Sequence, residues 1–437
     1  MEQLKFGFAD AIITPTHPQC LYMDGYGFRV KPAESIRDDL HAKVMAIVDG
    51  DRTRLVFSLD LVGLRSRVYD LVVDQITSMT GVSRENIALT CIHTHAAPAT
   101  GLIDELPIQY DYFAYVGECC GRAALRAIER ACTGGFHFEI LPEQLLHSYN
   151  RRGRDPIDRT IRAATFRDEN GALRGVLCTA ACHAVINTSY AISADWLSVL
   201  NAISTDEVPY IFFQGRCGDI DPHFEGQPTL DEKIELLGRE LTEAVGKMLA
   251  RNEDGSPLQG ELIWKSEAVR IPMMALTDTE ALKKDILAHE QAYFSAAPTD
   301  VKKHYNLRKL QWLRHMLRRA QAGEDFDITV TLQYLAIGHA CVFAFIPFEV
   351  LTLTGNALEE TFVDAGFPRE AIYICAYSNS VEGYLAPAAE FPYGGYEVIN
   401  AAAWYNTSRT CTDSEGAVLA WFEKQAREMQ FHVPLDL

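Results

Sequence analysis

The spacing of apolar residues along the chain predicts a mixed α/β protein. Two β-hairpins are expected, at 43–61 with a turn at Asp49-Gly50 and at 161–178 with a turn at Asn170-Gly171. Further strands are predicted at 86–93, 208–214, 261–271, 328–346 and 371–377, and helical periodicity predicts helices at 64–80, 109–132, 230–251, 348–364 and 412–429. Because hairpins are more frequent than in a doubly wound fold, we expect mixed β-sheets layered with helices.

Residues 277–323 differ in composition from the rest of the chain. They are charged and helix-favouring, with a break near Ala297-Pro298, and therefore predict an inserted helical hairpin. The second arm is basic, with Lys302, Lys303, Arg308, Lys309, Arg314, Arg318 and Arg319. This arm is either a solvated helix face or a lid that clamps an anionic substrate. Since no repeat or long linker is present, we predict one domain over 1–437 that carries this insertion.

Composition excludes several classes of partner. The 437 residues carry a formal net charge of −19, which argues against binding to nucleic acid or to anionic lipid. No apolar run approaches the roughly 18 residues of a membrane span. The N-terminus enters an alternating apolar run without the pattern of a secretory signal. Eleven cysteines without paired spacing favour free thiols in a reducing cytoplasm, which is the expected location.

A predicted strand ends in His93-Thr94-His95. In an extended strand the side chains of residues i and i+2 lie on the same face, so both imidazoles can face one metal or one substrate. The alternative is two unrelated histidines at a strand end. We therefore treat this segment as the centre of a candidate site.

Other apolar runs also end in polar residues. His183 closes one strand, although a lone histidine after an apolar run is more often a core residue than a ligand. Glu349 lies where another strand meets a helix, a position that the helix dipole also favours for glutamate. The turn from Gln214 to His223 has exposed amides and carboxylates that fit an oxyanion site or the orientation of a ligand histidine, or it is simply a tight turn. A loop rich in glycine and tyrosine, with Tyr384 and Tyr396, suggests a surface that faces substrate.

Taken together and in order, these segments resemble the catalytic N-terminal domain of the neutral ceramidase family. The resemblance runs through nearly the whole chain and rests on Gly7–Pro15, Gly25-Tyr26-Gly27, Ser58–Leu61, His93-Thr94-His95, Asn150-Arg151-Arg152, His183, Ser193-Ala194-Asp195, Gln214–Pro222, Pro347-Phe348-Glu349 and the loop with Tyr384 and Tyr396.

The resemblance implies a single zinc ion and amide hydrolysis. The implied ligands are two histidines, a glutamate and a tyrosine, namely His93, His183, Glu349 and Tyr384. Three further positions match residues near the scissile group: His95 for proton transfer, and Arg151 and Tyr396 for stabilising an oxyanion.

The chain departs from the family pattern in three places. Gly215 stands where the ceramidases have a serine, and Ala96-Ala97-Pro98 replaces the usual Ser-Gly-Pro. The chain also ends soon after its last predicted helix, without the immunoglobulin-like domain of the family. These departures lead us to expect a small soluble polar substrate rather than ceramide.

Three functions remain open at this stage. The leading hypothesis is a zinc-dependent hydrolase that cleaves an amide, or an ester, by means of metal-activated water. A second is a carbohydrate-active hydrolase or lyase at the same metal site, with Asp219, Asp221 or Glu382 as acid or base. A third is a metal-stabilised binding protein without turnover. A nucleophilic Cys217 is a further hypothesis, and the oligomeric state is not predicted.

Overall fold

The computed structural model describes residues 3–101, 107–154, 156–297 and 300–430. The strands are β1 (Lys5–Ile12), β2 (Ser35–Ile36), β3 (His41–Asp49), β4 (Arg52–Leu59), β5 (Ile87–Cys91), β6 (Gly134–Gln144), β7 (Ser148–Asn150), β8 (Thr160–Asp168), β9 (Leu173–Ala180), β10 (Ala191–Ile192), β11 (Tyr210–Gln214), β12 (Ile220–Pro222), β13 (Leu262–Ile271), β14 (Ile328–Ile337), β15 (Cys341–Phe345), β16 (Glu349–Val350), β17 (Ile372–Cys375) and β18 (Tyr384–Leu385). The α-helices are α1 (Ser66–Thr80), α2 (Tyr110–Glu129), α3 (Ser198–Asn201), α4 (Leu230–Arg251), α5 (Thr279–Ser295), α6 (Val301–Ala322), α7 (Thr352–Asp364), α8 (Ala402–Tyr405) and α9 (Thr412–Gln430).

Three four-stranded sheets form the framework of the fold. Their strand orders are β1-β3-β4-β5, β11-β9-β8-β6 and β13-β14-β15-β17. Each sheet contains two antiparallel strand pairs and one parallel pair, and the parallel pairs are β4 with β5, β9 with β11, and β15 with β17. The mixed sheets confirm the predicted fold class, and the two predicted hairpins are β3–β4 and β8–β9.

The three sheets share one buried aromatic cluster. Phe6 of the first sheet contacts Phe136 of the second edge to face, with ring centroids 4.9 Å apart. Phe213 of the second sheet contacts Phe343 of the third in the same way, at 5.8 Å. Because such rings bury large apolar areas, the cluster fixes the sheets relative to one another. The strand ends that carry the candidate site are fixed with them.

Helices cover the outer faces of the sheets. Helix α2 packs on β1 and β3, α4 on β6 and β8, and α7 and α9 pack on the third sheet. In the segment with unusual composition, α5 and α6 pack along each other, so the predicted helical pair is present. Pro298, which lies in the predicted break, is outside the described residues. Among the described helices, none is both long and apolar enough to cross a membrane.

Several predicted boundaries are wrong, and several strands were not predicted, among them β1, β6 and the short strands β16 and β18. The run 328–346 forms two strands, β14 and β15, since Gly338 takes the left-handed conformation with φ 48° at the turn between them. The helix predicted from 348 begins at Thr352, because β16 pairs with β18 instead. Strand β6 is unpredicted: its sequence opens with two glycines and includes Pro142, which weaken a local strand signal.

Candidate active site

The candidate site lies where strands of the three sheets end. His93 follows β5, His183 follows β9, and Glu349 begins β16 directly beyond β15. Gln214, the last residue of β11, holds these ends together, because its side-chain amide donates to the carbonyls of Ile92 at 2.9 Å and Cys182 at 3.0 Å. The carbonyl of Gln214 also accepts from the amide of Ala376 at 3.0 Å, which ties in the end of β17.

His93 and His183 direct their Nε2 atoms at one carboxylate. The Nδ1 atom of His93 contacts the Val62 carbonyl, and that of His183 lies 3.0 Å from the Ile220 carbonyl. Carbonyl oxygens only accept hydrogen bonds, so we assign the proton of each ring to Nδ1. Each Nε2 therefore presents a lone pair to Oε2 of Glu349, at 3.3 Å from His93 and 3.2 Å from His183.

His95 completes a group of three histidines. Its Nε2 lies 3.1 Å from Nε2 of His93, and the nitrogen atoms that His93, His95 and His183 can offer to a metal lie within 4.8 Å of one another. Burial, and then the two neighbouring rings, lowers the pKa of His95 well below its ordinary value, so this imidazole is neutral. Arg29 fixes its backbone by donating to the carbonyl of His95.

The backbone at His93 differs from the extended strand that we predicted. Strand β5 ends at Cys91, and His93 has φ 63°, in the left-handed region that non-glycine residues rarely enter. Its amide donates to the Leu61 carbonyl at 3.0 Å, which helps to hold this conformation. Departures of this kind cost about 1–3 kcal/mol and concentrate at functional sites.

This donor arrangement fits a bound cation. Two imidazole lone pairs that face a carboxylate oxygen repel it unless a positive charge lies between them. Burial raises the pKa of Glu349, but positive charge on the His93 and His183 rings outweighs burial and holds that pKa well below its ordinary value. A cation bound at the two Nε2 atoms would supply the same positive charge, so the carboxylate is ionised. Imidazole with carboxylate is a ligand set typical of a transition metal. These residues can hold a metal ion.

Two tyrosines that the sequence analysis missed hold the glutamate in place. Tyr377 donates to Oε2 of Glu349 at 3.1 Å, and its ring stacks on His93 with centroids 4.1 Å apart. Tyr405 donates to the other carboxylate oxygen, Oε1. Neither tyrosine lies in a motif that we singled out. Its place as the last residue of the predicted strand 371–377 was the only available signal for Tyr377.

Tyr384 and Arg151 meet beside the glutamate. Strand β18 pairs with β16 so that Tyr384 is in register with Glu349. Arg151 donates to the hydroxyl of Tyr384 at 3.1 Å, and also to Glu397, Asp221 and the Gly218 carbonyl. The guanidinium group therefore contacts the site through its hydrogen bond to the hydroxyl of Tyr384.

A pocket of about 210 Å³ opens beside these residues. Its lining residues are Gly25, Tyr26, Gly27, Val62, His93, His95, Tyr305, Glu349, Tyr384, Tyr396, Trp404 and Tyr405. Of the predicted catalytic residues, His95 and Tyr396 line the pocket, whereas Arg151 lies behind Tyr384. Burial, and then Glu349, raises the pKa of Tyr396, so its hydroxyl keeps its proton and remains a donor.

The remaining candidates lie outside the lining of this pocket. Asp219 accepts from the amide and hydroxyl of Thr352 at 2.8 and 2.7 Å, and Glu382 pairs with Arg65 at 2.9 Å. Cys217 is buried with its sulfur 3.0 Å from the hydroxyl of Tyr377. The Ile220 carbonyl orients His183, which matches one of the roles considered for the turn that follows Gln214.

Position 215 faces away from the pocket. A Cβ atom on Gly215 would lie 2.9 Å from the Ala180 carbonyl oxygen, closer than side chains normally approach backbone. Gly215 instead borders a small cavity that contains Arg162, Arg216 and Glu359. The absence of a serine here therefore removes no group from the lining of the pocket.

Two solved ceramidase structures superpose on this chain. The neutral ceramidase from Pseudomonas aeruginosa aligns with a TM-score of 0.75 and 18% identity, over 99% of this chain and 75% of that one. A ceramidase complexed with C2 aligns with a TM-score of 0.73 and 17% identity, over 100% of this chain and 76% of that one. No protein-family model and no curated protein sequence matches the chain. The chain therefore has the fold of the neutral ceramidases, as its motifs led us to expect.

Proposed function

We propose that this protein is a zinc-dependent hydrolase that cleaves an amide bond in a small polar compound. The observation that carries the proposal is the convergence of two imidazole lone pairs, from His93 and His183, on the ionised carboxylate of Glu349. The shared fold supports the choice of reaction, because both structural neighbours are named as ceramidases and ceramide is an amide.

The spacing of the donor atoms supports zinc as the metal. Ligand atoms about 2.0–2.1 Å from one tetrahedral zinc ion lie about 3.3 Å apart. Each histidine Nε2 lies at nearly that distance from Oε2 of Glu349, at 3.3 Å for His93 and 3.2 Å for His183. We assign the fourth ligand to Tyr384, whose backbone is in register with Glu349.

The residues of the pocket have distinct roles in this proposal. A bound zinc ion supplies Lewis-acid polarisation of the amide carbonyl. His95 is neutral and lines the pocket, so it accepts a proton from the water that attacks the amide carbonyl and returns it to the leaving amine as the C–N bond breaks. Tyr396 donates a hydrogen bond to the developing negative charge. Arg151 acts through Tyr384, whose hydroxyl it holds.

Compartment and reaction class follow from further features. All eleven cysteines are free, which supports a reducing compartment, and we propose the cytoplasm. The alternative of a carbohydrate-active hydrolase or lyase has less support, since its three candidate carboxylates have other partners: Asp219 binds Thr352, Asp221 binds Arg151 and Glu382 binds Arg65. Ester cleavage uses the same groups and remains the second choice of bond.

Hydrolysis of an amide panel with the metal-loaded protein tests the proposal. N-acyl amino acids and N-acyl sugars should be cleaved, with glycosides as the comparison set. His93→Ala should abolish turnover without unfolding the chain, whereas His17→Ala, at an exposed histidine, should have no effect. If the loaded protein cleaves glycosides and no amide, or if His93→Ala retains full turnover, the proposal is wrong.

A further inference from the structure

One part of the pocket lining comes from the helical pair rather than from the sheets. Tyr305 of α6 lines the pocket beside Trp404, and we call these two residues the aromatic wall; Gly27 lines the pocket next to them. The rings of Tyr305 and Trp404 lie 6.4 Å apart at 52°. The wall contains no residue to which we assign a chemical step, so we expect it to contact the substrate.

Helix α6 holds the wall through hydrogen bonds to residues 400–407. The hydroxyl of Tyr305 donates to the side chain of Asn400 at 3.2 Å, and Trp312 donates to the Thr407 carbonyl at 2.7 Å. Arg308 and Lys309 are buried and donate to the carbonyls of Trp404 and Asn400, each at 3.2 Å.

These contacts change the interpretation of the basic helix. Two of its cations bind backbone carbonyls, and two more pair with acidic neighbours, Arg314 with Glu290 and Arg319 with Glu324. None of the residues that line the pocket is a lysine or arginine. The described contacts therefore support a structural role for α6 behind the wall, and they do not support an anion clamp.

The wall is tightly packed on the side of Gly27. A Cβ atom on Gly27 would lie 2.3 Å from Cη2 of Trp404, so this backbone touches the indole ring directly. Gly25 has the same relationship with His95, whose Cγ a Cβ atom would approach to 2.4 Å. The two glycines on either side of Tyr26 therefore link the indole to the candidate catalytic histidine. The indole has no room to move toward Gly27.

We infer that Tyr305 and Trp404 limit the size of the substrate group that enters beside the candidate metal ligands. The inference rests on the proposed function and specifies its substrate class: amides of compact acyl groups such as acetyl, and not of long alkyl chains. The volume supports it, since about 210 Å³ is smaller than the about 300–1,000 Å³ of pockets that enclose drug-sized ligands.

Binding of alkyl hydroxamates to the zinc-loaded protein tests the size limit without requiring turnover. Acetohydroxamate and octanohydroxamate share one metal-binding group and differ in chain length. Isothermal titration calorimetry should show that the wild-type protein binds acetohydroxamate at least about tenfold more tightly. In Tyr305→Ala and Trp404→Ala this ratio should fall or reverse, because each newly buried methylene strengthens binding about fourfold.

Two further variants separate ring size from other effects. Tyr305→Phe loses the hydrogen bond to Asn400 but keeps the ring, so it should retain the wild-type chain-length ratio. Phe294→Ala removes an exposed ring, 78% accessible, from α5 of the same helical pair and should also retain it. Thermal melts confirm that each variant is folded, and Tyr305→Phe and Tyr305→Ala remain an informative pair if Trp404→Ala fails to fold.

The outcomes distinguish the size limit from the proposed function. Tighter wild-type binding of octanohydroxamate, or an unchanged ratio in Tyr305→Ala, would overturn the size limit. The expected hydroxamate ratios together with no cleavage of any amide would overturn the hydrolase proposal alone. Failure of every hydroxamate to bind a protein that retains zinc would overturn both.

Discussion

Nε2 of His93 lies 3.3 Å from Oε2 of Glu349, although the two residues follow strands of different sheets. The Nδ1 atom of the same ring faces the Val62 carbonyl, so the lone pair on Nε2 is directed at the carboxylate. A cation bound between the two groups would remove the repulsion between the lone pair and the carboxylate. We therefore expect metal binding to stabilise the folded site.

Replacing Glu349 with glutamine should remove the metal while keeping the shape of the side chain. We expect about one zinc ion per wild-type chain and at least about 100-fold weaker binding by Glu349→Gln, since even residues behind the ligands contribute 10–100-fold. Elemental mass spectrometry on untagged protein measures the number of zinc ions per chain. A chelator should lower the wild-type melting temperature but not that of the variant. Glu428→Gln, at an exposed glutamate, is the control, and equal zinc in Glu349→Gln would contradict the assignment.

Replacing Gly25 with alanine should displace His95. Gly25 has φ 97°, and a Cβ atom would lie 2.4 Å from Cγ and 2.6 Å from Nδ1 of the His95 ring. Because misplacing a catalytic group by about 1 Å costs about 100-fold in rate, we expect a loss of that order in kcat/KM. Amide hydrolysis assays measure it.

Gly226→Ala provides the matched control for Gly25→Ala. Gly226 also has positive φ, at 72°, but a Cβ atom there would meet nothing within 4 Å. Its substitution should cost about 1 kcal/mol of stability from backbone strain and leave turnover unchanged. Similar turnover in the two alanine variants would show that the contact with His95 has no role in catalysis.

Local signals in the sequence were sufficient for much of the fold. The hairpins β3–β4 and β8–β9 form where turn residues separate apolar arms, because turn chemistry acts over a few residues. The order of the motifs was enough to select His93, His183 and Glu349, which the structure brings together. Their assignment as metal ligands remains a prediction.

Features set by distant contacts could not be predicted. Helix α7 begins later than its pattern indicates because Glu349 and Val350 pair with residues in a far loop. The left-handed backbone of His93 depends on carbonyls from a different segment, Leu61 and Val62. Tyr405, at the end of α8, has no motif around it, and only the tertiary fold brings its hydroxyl to Glu349.

Gln214 should be important for both stability and metal binding. Its amide satisfies the buried carbonyls of Ile92 and Cys182, so Gln214→Met leaves two buried acceptors without this donor. We expect a loss of about 2–6 kcal/mol in unfolding free energy, from about 1–3 kcal/mol for each of the two unsatisfied groups. Urea denaturation measures the loss. Because both carbonyls precede candidate ligands, zinc affinity should fall as well.

Gln227→Met is the comparison for Gln214→Met, since Gln227 is exposed. The same chemical change there should alter the unfolding free energy by less than about 0.5 kcal/mol. A Gln214→Met protein as stable as this control would show that the bridge between β5 and β9 is dispensable.

Asp38 should make the stability of the protein depend on pH. Burial raises the pKa of this carboxyl to about 6, and the hydrogen bonds from Ser193 and Ala194 lower it only in part. An unfolded aspartate has a pKa of about 3.9, so between about pH 4 and pH 6 the folded protein holds more protons than the unfolded chain. The contribution of Asp38 to the unfolding free energy therefore decreases as pH rises through that window.

Asp38→Asn removes this titration, so the variant should become progressively more stable relative to wild type as pH rises. The difference between the two unfolding free energies should change by about 2–3 kcal/mol between about pH 4 and pH 7. Denaturant melts at matched pH values measure it, and the comparison cancels shared groups that do not interact with Asp38, whereas Asp195, whose pKa Asp38 raises, adds to the difference. Asp39→Asn, at the exposed neighbouring carboxyl, should show the same dependence of unfolding free energy on pH as the wild type. If the unfolding free energy of Asp38→Asn also depends on pH as that of the wild type does, burial of Asp38 imposes no electrostatic cost on folding.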